Sequence, residues 1–387
     1  MQWIQKRHQR TYKFFAPFFK CALRRRNFTY SKHTLPSGSH FIISNHLTKA
    51  DQFMLSIFFG KLLYFVMRDD LSSLPVLGKI INYLVAPIPK SKVHSDIATI
   101  RIAKKIAKEG GNIMLFPEGN LSFDGRLCDF SIATSKFAKL LNIPIAVVNI
   151  EGGYGAMPRW CNKRRKGYLT AEVKRIISVE EYSALTSQQL YDLIRSLLDV
   201  DNFNAITPYV SSARAEYLET LLYVCPHCGF TQFVSKGNFV TCNTCKRTWQ
   251  YTPNLTFEPP VPFKNTGEWH KYQLDYLQNI DYSNDKPIFT DTIKALKLKI
   301  AGGKNRRKKL FGRSTIQLYF NKIVISFYNR TQTFNFSDIS SIAMLGRNRI
   351  ELLFCDADYF IVPTKRLNSV KVINFFDYYK AQVNIDK

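Results

Sequence analysis

Short apolar runs alternate with amphipathic segments over the first half of the chain. The apolar runs have the length expected of buried strands. Between the first two runs, apolar residues recur at helical spacing from Ile97 to Ile106. After the third run, a Thr186/Gln189 capping box opens another amphipathic segment. This alternation predicts an α/β domain with a mixed sheet flanked by helices. The three runs that we assign to strands are HFIIS (40–44), NIMLF (112–116) and IPIAVVNI (143–150).

The last part of the chain has a different pattern. Between Thr315 and about Val362, five short segments alternate apolar and polar residues, and a helical pattern follows them. Antiparallel strands with one C-terminal helix predict a small mainly-β domain, and the pleckstrin-like fold is our candidate for it. We divide the chain into a basic amphipathic segment (1–30), the α/β domain (31–205), a connector with a cysteine module (206–255), a linker (256–290) and a C-terminal β-rich domain (291–387).

The charge of the chain indicates that this protein has an anionic partner. A net charge of +26 indicates nucleic acid, a phospholipid surface or a phosphorylated substrate. Residues 1–30 mix eight Lys/Arg with large aromatic residues, which is typical of a segment at a lipid headgroup region. The block Lys294–Arg313 has nine Lys/Arg and no acid, and it would add to the hold on anionic lipid. The alternative for both segments is a solvated basic surface.

Membrane-spanning and secreted classes do not fit the pattern. The most apolar stretch, FMLSIFFGKLLYFVM, is broken by Lys61, and we expect a buried helix there. The N-terminus lacks the apolar core and cleavage site of a secretory signal. The eight cysteines form a spaced quartet and four single residues, which favours metal binding in a reducing cytoplasm over disulfides. We expect a peripheral protein at the cytoplasmic face of a membrane.

The cysteine quartet has the spacing of two zinc knuckles. Each pair is Cys-x-x-Cys, and thirteen residues separate Cys228 from Cys242. Four thiolates fill a tetrahedral site, so we predict structural Zn²⁺ within a ribbon, with a hairpin at residues 236–238 and His227 as a turn residue. The ribbon would brace the junction between the neighbouring domains. Nucleic acid is the alternative partner, but the ribbon has few cations, so we expect none. The predicted ligands are Cys225, Cys228, Cys242 and Cys245.

Candidate chemistry begins at SNHLTKAD (44–51), where Asp51 is the first acid of the chain. A neutral histidine can accept a proton, and a carboxylate on its far nitrogen fixes the tautomer. On a regular helix, five residues would set the two side chains ~140° apart. His46 and Asp51 therefore pair only if His46 lies on the turn after the strand and Asp51 starts a helix, with Thr48 as its cap. The alternative is a surface histidine near a helix-start aspartate.

A second stretch, NIMLFPEGN, ends a predicted strand with Phe116, Pro117, Glu118 and Gly119. In open α/β sheets, ligands bind at the carboxyl ends of the strands. The alternative is an ordinary strand-to-loop turn, because Pro and Gly are common in loops.

Together, Asn45-His46-xxxx-Asp51 and FPEG, in this order, resemble the motifs of the glycerolipid acyltransferase family, which includes 1-acylglycerol-3-phosphate acyltransferases. The resemblance covers roughly residues 25–200, and LVAPIPKSK (84–92) agrees in position with a further block. It implies direct transfer of a fatty acyl group from acyl-CoA or acyl-carrier protein to the hydroxyl of a lysophospholipid, foremost 1-acylglycerol-3-phosphate. His46 would be the general base and Asp51 its orienting partner. The implied substrate contacts include Asn45, Phe116, Pro117, Glu118 and Gly119.

The resemblance has two departures, and both concern the acceptor phosphate. The family usually continues its FPEG motif with Thr-Arg-Ser, whereas this chain has leucine at position 121. The family's earlier arginine is replaced by Lys90 or Lys92, and lysine lacks the bidentate fork. Arg126 is the substitute that the sequence suggests. Leu121 also prompts the alternative of a noncatalytic lipid-binding protein on the same fold.

Overall fold

The computed structural model divides into two compact units, Met1–Arg159 with Arg164–Val210, and Trp160–Lys163 with Ser211–Lys387. Within its described residues, no helix has the length and apolar character needed to span a bilayer. The described residues are 3–25, 27–30, 32–68, 77–90, 97–204, 206–279, 286–299 and 307–385.

A seven-stranded mixed sheet lies at the centre of the first unit. Its strands are β1 (Phe28–Thr29), β2 (Phe41–Ser44), β3 (Leu63–Arg68), β4 (Ile88–Lys90), β5 (Asn112–Leu115), β6 (Ile145–Glu151) and β7 (Leu169–Ile177). The strand order is β1-β7-β6-β2-β5-β3-β4. The five strands from β6 to β4 are parallel, whereas β7 is antiparallel to β6. The carboxyl ends of β2, β5 and β6 therefore lie at one edge of the sheet.

Helices cover both faces of this sheet. They are α1 (Lys6–Arg24), α2 (Asp51–Phe59), α3 (Leu77–Leu84), α4 (Ile97–Lys108), α5 (Ala133–Leu141), α6 (Gly153–Ala156), α7 (Val179–Ser183) and α8 (Ser187–Leu198). Successive strand residues point to opposite faces. Ile42 accordingly belongs to the core that includes Leu55 of α2, and Ile43 to the core that includes Ala103 of α4 and Ile194 of α8. The predicted mixed sheet flanked by helices is confirmed.

Helix α1 is held on the first unit at its N-terminal end and along one side. The carboxylate of Glu109 accepts hydrogen bonds from the backbone N–H groups of Trp3 at 3.0 Å and Ile4 at 2.6 Å. Farther along the helix, the Phe19 ring stacks on Phe53 of α2 with centroids 4.8 Å apart. One face of α1 is therefore fixed against the same helix that begins at the candidate catalytic aspartate.

The prediction of one buried helix over FMLSIFFGKLLYFVM is wrong. Helix α2 ends at Phe59, because Gly60 adopts a left-handed conformation with φ of +64° and terminates it. The remaining apolar residues form β3, which is parallel to β5 inside the sheet. A buried strand and a buried helix are both continuously apolar, so hydropathy alone does not separate them.

Within its described residues, the second unit contains three sheets and two long helices. A two-stranded sheet pairs β8 with β9, the strands β10–β13 form a four-stranded antiparallel sheet, and eight strands form the largest sheet. The order of the largest sheet is β18-β17-β16-β14-β21-β20-β19, with β15 paired to β14. The strands and helices of this unit are β8 (Val224–Cys225), β9 (Gly229–Phe230), β10 (Phe233–Lys236), β11 (Phe239–Cys242), β12 (Thr248–Tyr251), β13 (Phe257–Glu258), α9 (Thr266–Leu277), β14 (Phe289–Lys299), β15 (Arg307–Phe311), β16 (Ser314–Leu318), β17 (Lys322–Phe327), β18 (Arg330–Asn335), β19 (Ile339–Leu345), β20 (Arg349–Phe354), β21 (Ala357–Pro363) and α10 (Val370–Ile385). The predicted β-rich region with a terminal helix is confirmed.

The region predicted as a linker contains helix α9. Asn265 caps this helix by accepting a hydrogen bond from the Glu268 backbone N–H at 3.0 Å. One of its fully buried residues is Gln273, whose side-chain oxygen accepts hydrogen bonds from the backbones of Tyr223 and Val224. Because a glutamine fills this inward position, the apolar periodicity that predicts a helix is interrupted in the sequence.

Candidate functional site

His46 and Asp51 form a hydrogen-bonded pair at the carboxyl end of β2. His46 lies two residues after the end of β2, and Asp51 is the first residue of α2. The imidazole Nδ1 is 2.9 Å from the Asp51 Oδ2, and the Asp51 side chain is fully buried. A carboxylate accepts but does not donate, so it favours the tautomer with hydrogen on Nδ1. Nε2 is then the ring nitrogen that can accept a proton.

The Asp51 carboxylate also holds the turn that joins β2 to α2. Its Oδ2 accepts hydrogen bonds from the backbone N–H groups of Leu47 and Thr48, both at 2.8 Å. The Thr48 hydroxyl donates to Oδ1. The prediction that Thr48 caps α2 is wrong, because Ala50 occupies the N-cap position. Asp51 thus fixes the main chain around His46 as well as its ring.

Glu118 links the exit of β5 to the exit of β2. One carboxylate oxygen accepts from the backbone N–H of His46 at 2.7 Å, and the other accepts from the backbone N–H of Cys128 at 2.9 Å. Burial raises the pKa of Glu118 to about 7, and the two N–H donors oppose that rise. Its two oxygens hold main-chain atoms, so this residue positions the loop that carries the histidine.

The other residues of the FPEG segment shape the surroundings of the imidazole. The Phe116 ring lies parallel to the His46 ring, with centroids 4.1 Å apart and an interplanar angle of 11°. After Pro117, Gly119 turns the chain with φ of +63°, and its N–H donates to the Phe116 carbonyl at 3.1 Å. The aromatic ring covers one face of the imidazole and limits its rotation.

Asn45 joins β2 to β6 one residue beyond the paired part of the strands. Its Nδ2 donates to the Ile150 carbonyl at 2.9 Å, and its Oδ1 accepts from the Ile150 N–H at 2.7 Å. The residue is 2% exposed. Nearby, a Cβ on Gly153 would lie 2.8 Å from the Leu47 Cβ, so this position accommodates only glycine without a shift.

The cations predicted to meet the acceptor phosphate are scattered. Lys90 is exposed at the end of β4. Two strands separate β4 from β2 in the sheet, which corresponds to ~14 Å between the strand ends. Arg126 is exposed, and Lys92 lies outside the described residues. The described structure gives no contact of Lys90 or Arg126 with His46.

Arg159 is a cation near the site that sequence reasoning missed. Its Nη1 donates to the Leu121 carbonyl at 2.9 Å, and its guanidinium carbon lies 4.0 Å from the centre of the Phe123 ring. The residue is 7% exposed, and burial lowers its pKa to about 10. Because 38 residues separate it from Leu121, no local motif could have marked it.

The four cysteines predicted to bind zinc lie close together in the second unit. The Sγ atoms of Cys225 and Cys245 are 3.7 Å apart, and those of Cys228 and Cys242 are 3.5 Å apart. All four lie within 4.8 Å of one another. Sulfurs around a tetrahedral Zn²⁺ at ~2.3 Å would be ~3.8 Å apart, so this group could hold a metal ion. The predicted hairpin is present as β10 and β11.

Sequence comparisons match the part of the chain that carries the histidine pair. Residues 26–151 match the family model described as Acyltransferase. The chain is 26% identical over 145 residues to the 1-acyl-sn-glycerol-3-phosphate acyltransferase BAT2, chloroplastic, of Brassica napus, covering 37% of this chain and 40% of that protein. It is 25% identical over 117 residues to the corresponding LPAT1, chloroplastic, of Arabidopsis thaliana, covering 30% and 33%. The matches thus span less than half the length of either relative.

Two solved structures have partial similarity. The 1-acyl-sn-glycerophosphate acyltransferase PlsC from Thermotoga maritima gives a TM-score of 0.41 at 20% identity and covers 48% of this chain and 76% of that one. The N-terminal PH domain of human ARAP2 gives a TM-score of 0.18 at 15% identity and covers 24% and 81%. TM-scores below 0.5 do not establish a shared fold.

Proposed function

We propose that this protein transfers a fatty acyl group from acyl-CoA or acyl-carrier protein to a lysophospholipid hydroxyl, since its residues 26–151 match the Acyltransferase family model. The foremost acceptor is 1-acylglycerol-3-phosphate, which is the acceptor that the names of the two plant relatives imply for those proteins. The observation that carries the proposal is the hydrogen bond between His46 and the buried Asp51 at the carboxyl edge of the sheet.

The pair supports general-base catalysis. Nε2 of His46 takes the proton of the acceptor hydroxyl while the hydroxyl oxygen attacks the thioester carbonyl. Asp51 stabilises the imidazolium that forms, as carboxylates do in hydrolase triads. The tetrahedral intermediate then collapses, the C–S bond breaks, and the thiolate receives the proton from His46. Proton transfer of this kind contributes about 10²–10⁴-fold to the rate.

The test is acyl transfer from labelled acyl-CoA and acyl-carrier protein to a panel of lysolipids. We expect product with the wild type and about 10²–10⁴-fold less with His46→Ala. His33→Gln is the matched control, because His33 is a half-buried histidine of the same unit. Equal rates for wild type and His46→Ala would refute the assignment of the base. Absence of product from folded wild type with every donor and acceptor would favour a lipid-binding protein without catalysis.

We also propose that α1 contacts an anionic membrane surface. Phe14 is 77% exposed and Phe18 is 69% exposed, and the neighbouring Lys13 and Lys20 are exposed as well. Aromatic rings flanked by cations suit the interface between headgroups and acyl chains. This association would bring a peripheral enzyme to its lipid acceptor. The cytoplasmic face stays a prediction from the cysteine content, and co-sedimentation with vesicles, with and without an anionic lipid, tests the contact.

For the cysteine cluster, we propose structural Zn²⁺ bound by Cys225, Cys228, Cys242 and Cys245. The S–S distances fit a tetrahedral thiolate site, which leaves no position for a substrate. The His227 ring stacks on Trp249 with centroids 6.0 Å apart, which suits a packing role for that histidine. Metal analysis of freshly purified protein should find one zinc ion per chain, and a clear deficit would count against the ribbon.

A further inference from the structure

A polar cleft of about 240 Å³ lies at the carboxyl end of β6 in the first unit. Its lining combines residues of β6 and β7 with the segment that follows α8. Small-molecule sites are concave and contain a few fixed polar groups, and this cleft has both properties. The chemistry of its lining therefore indicates which ligand it would take.

The most buried polar side chain of the cleft is that of Asn149, which is 2% exposed. Its Nδ2 donates to the Leu197 carbonyl at 2.8 Å, and this contact fixes which way the amide faces. The Oδ1 is buried, and no donor among the described residues lies within hydrogen-bond distance of it. A buried acceptor without a donor is unfavourable, so a ligand that brings an N–H group to this oxygen would be stabilised.

The carboxylates of the cleft exceed its cations. The Oε1 of Glu151 lies 3.5 Å from the Nζ of Lys174, so one carboxylate has an ammonium partner. Asp199 and Asp201 are exposed and form no ion pair within the part of the chain that the structure describes. Two negative charges thus remain in the cleft, although the net charge of the chain is +26. A cation is the ligand that this local charge favours.

An organic ammonium ion fits these groups better than a metal ion. Ca²⁺ and Mg²⁺ need about six or more oxygen ligands around one point. Within the described ranges, only the cysteine quartet brings three or more Cys, His, Asp or Glu side chains close enough together for a metal. An ammonium group carries positive charge and N–H donors at once, so it can satisfy both a carboxylate and an amide oxygen.

We propose that the cleft binds a small aliphatic diamine. One ammonium group would lie between Asp199 and Asp201, and the other would donate to the Asn149 Oδ1 beside Glu151. Asn149 and Glu151 are two residues apart on β6 and therefore share one face of the sheet. The two positive charges of the diamine equal the excess negative charge of the cleft, and its N–H groups include a donor for Asn149.

This site is separate from the candidate catalytic histidine. Val147 belongs to the core that includes Ile194 of α8, and Asn149 follows it on the same face of β6. The Phe116 ring, which stacks on His46, packs instead on the core of α2 at the other face. The inference therefore goes beyond the proposed acyl transfer and does not depend on it.

The experiment is isothermal titration calorimetry of the whole protein with 1,4-diaminobutane at physiological ionic strength. We expect one saturable site per chain. The double variant Asp199→Asn/Asp201→Asn keeps the shape of both side chains and should bind at least about tenfold more weakly, because charge-assisted hydrogen bonds are lost. Asp192→Asn is the matched control, since Asp192 is an exposed acid of α8 outside the cleft, and it should bind like the wild type. His46→Ala should also bind like the wild type.

A second titration tests the hydrogen bond to Asn149 without changing the protein. The diamine with three methyl groups on each nitrogen keeps both charges and has no N–H, whereas the analogue with two methyl groups on each nitrogen is nearly as bulky and keeps one N–H. The tetramethyl analogue should bind at least about tenfold more tightly than the hexamethyl one. Equal affinities would show that charge alone holds the ligand and would overturn the role of Asn149.

Three results of the calorimetry would overturn the site itself. They are no saturable binding by the folded wild type, equal affinity in Asp199→Asn/Asp201→Asn, and displacement of the diamine by Ca²⁺ at a lower concentration than that of the diamine. Because the measured quantity is amine binding, each of these results is distinguishable from a failure of the protein to transfer acyl groups.

Discussion

Replacing Asp51 by asparagine separates its two tasks, which are stabilising the imidazolium and holding the turn. An asparagine amide can place its oxygen where Oδ2 lies and still accept from His46 and from the Leu47 and Thr48 backbones. Its NH₂ group would face the Thr48 hydroxyl, which can accept instead of donate. The variant therefore keeps the geometry and loses the charge.

The expected magnitude follows from that lost charge. Two unit charges ~4 Å apart at an effective dielectric constant of ~20 interact by ~4 kcal/mol. Each ~1.4 kcal/mol of transition-state stabilisation corresponds to a factor of ten, so we expect kcat to fall by about 10³-fold. By contrast, Asp51→Ala leaves two buried N–H donors without acceptors, at ~1–3 kcal/mol each, so it should also lose ~2–6 kcal/mol of unfolding free energy.

The assays are initial acyl-transfer rates and urea unfolding of both variants. Asp192→Asn is the control, because Asp192 is an exposed acid on α8 of the same unit. Near wild-type kcat in Asp51→Asn would refute the role of the carboxylate charge. Equal unfolding free energies for Asp51→Ala and Asp51→Asn would refute the argument about the turn.

Three further predictions concern pH, metal and membrane. The pKa of Glu118 is raised to about 7 from the ordinary 4.5, so the folded protein holds the Glu118 proton more tightly than the unfolded chain does. The free energy of unfolding should therefore fall by ~3 kcal/mol as pH rises from 4.5 through 7. Urea titrations should show a weaker fall for Glu118→Gln, and parallel curves would contradict the assigned titration. Cys228→Ser should lower both the zinc content of the protein and the thermal unfolding midpoint of the second unit, because metal binding contributes folding energy. An unchanged zinc content would exclude Cys228 as a ligand. The double variant Phe14→Ser/Phe18→Ser should bind vesicles at least tenfold more weakly, because two rings no longer bury apolar surface in the membrane. The control is Tyr328→Ser, which removes another exposed aromatic ring and should leave vesicle binding unchanged. Equal losses in the two proteins would argue against α1 as the membrane contact.

The sequence predicted the parts of the molecule whose signals are local. The glycerolipid acyltransferase resemblance is confirmed for the family by the sequence matches. The predicted strands 40–44 and 112–116 correspond to β2 and β5, and the capping box of α8 is present at Thr186 and Gln189. Each of these features depends on residues a few positions apart, where spacing and side-chain chemistry are sufficient evidence.

The features that the sequence did not reveal depend on contacts between distant segments. Helix α9 was not predicted from the sequence, because a glutamine occupies one of its buried positions. The side-chain oxygen of that residue, Gln273, accepts hydrogen bonds from the backbones of Tyr223 and Val224. Arg159 reaches Leu121 only after β6 and α6 have turned the chain back toward the sheet edge. The interpretation of Thr48 as a cap followed the usual preference of threonine, but here its hydroxyl binds Asp51 instead.

The side-chain bridge made by Asn45 has a consequence for hydrogen exchange. The amide hydrogen of Ile150 is retained by the Asn45 oxygen, and that of His46 by the Glu118 carboxylate, so neither depends on a neighbouring strand's carbonyl. Their exchange rates with deuterium should therefore report on these two side chains individually, whereas most sheet amides report on opening of the sheet. Deuterium exchange at these two amides therefore measures whether the side-chain contacts of Asn45 and Glu118 are intact. It can be measured even in variants that no longer convert substrate.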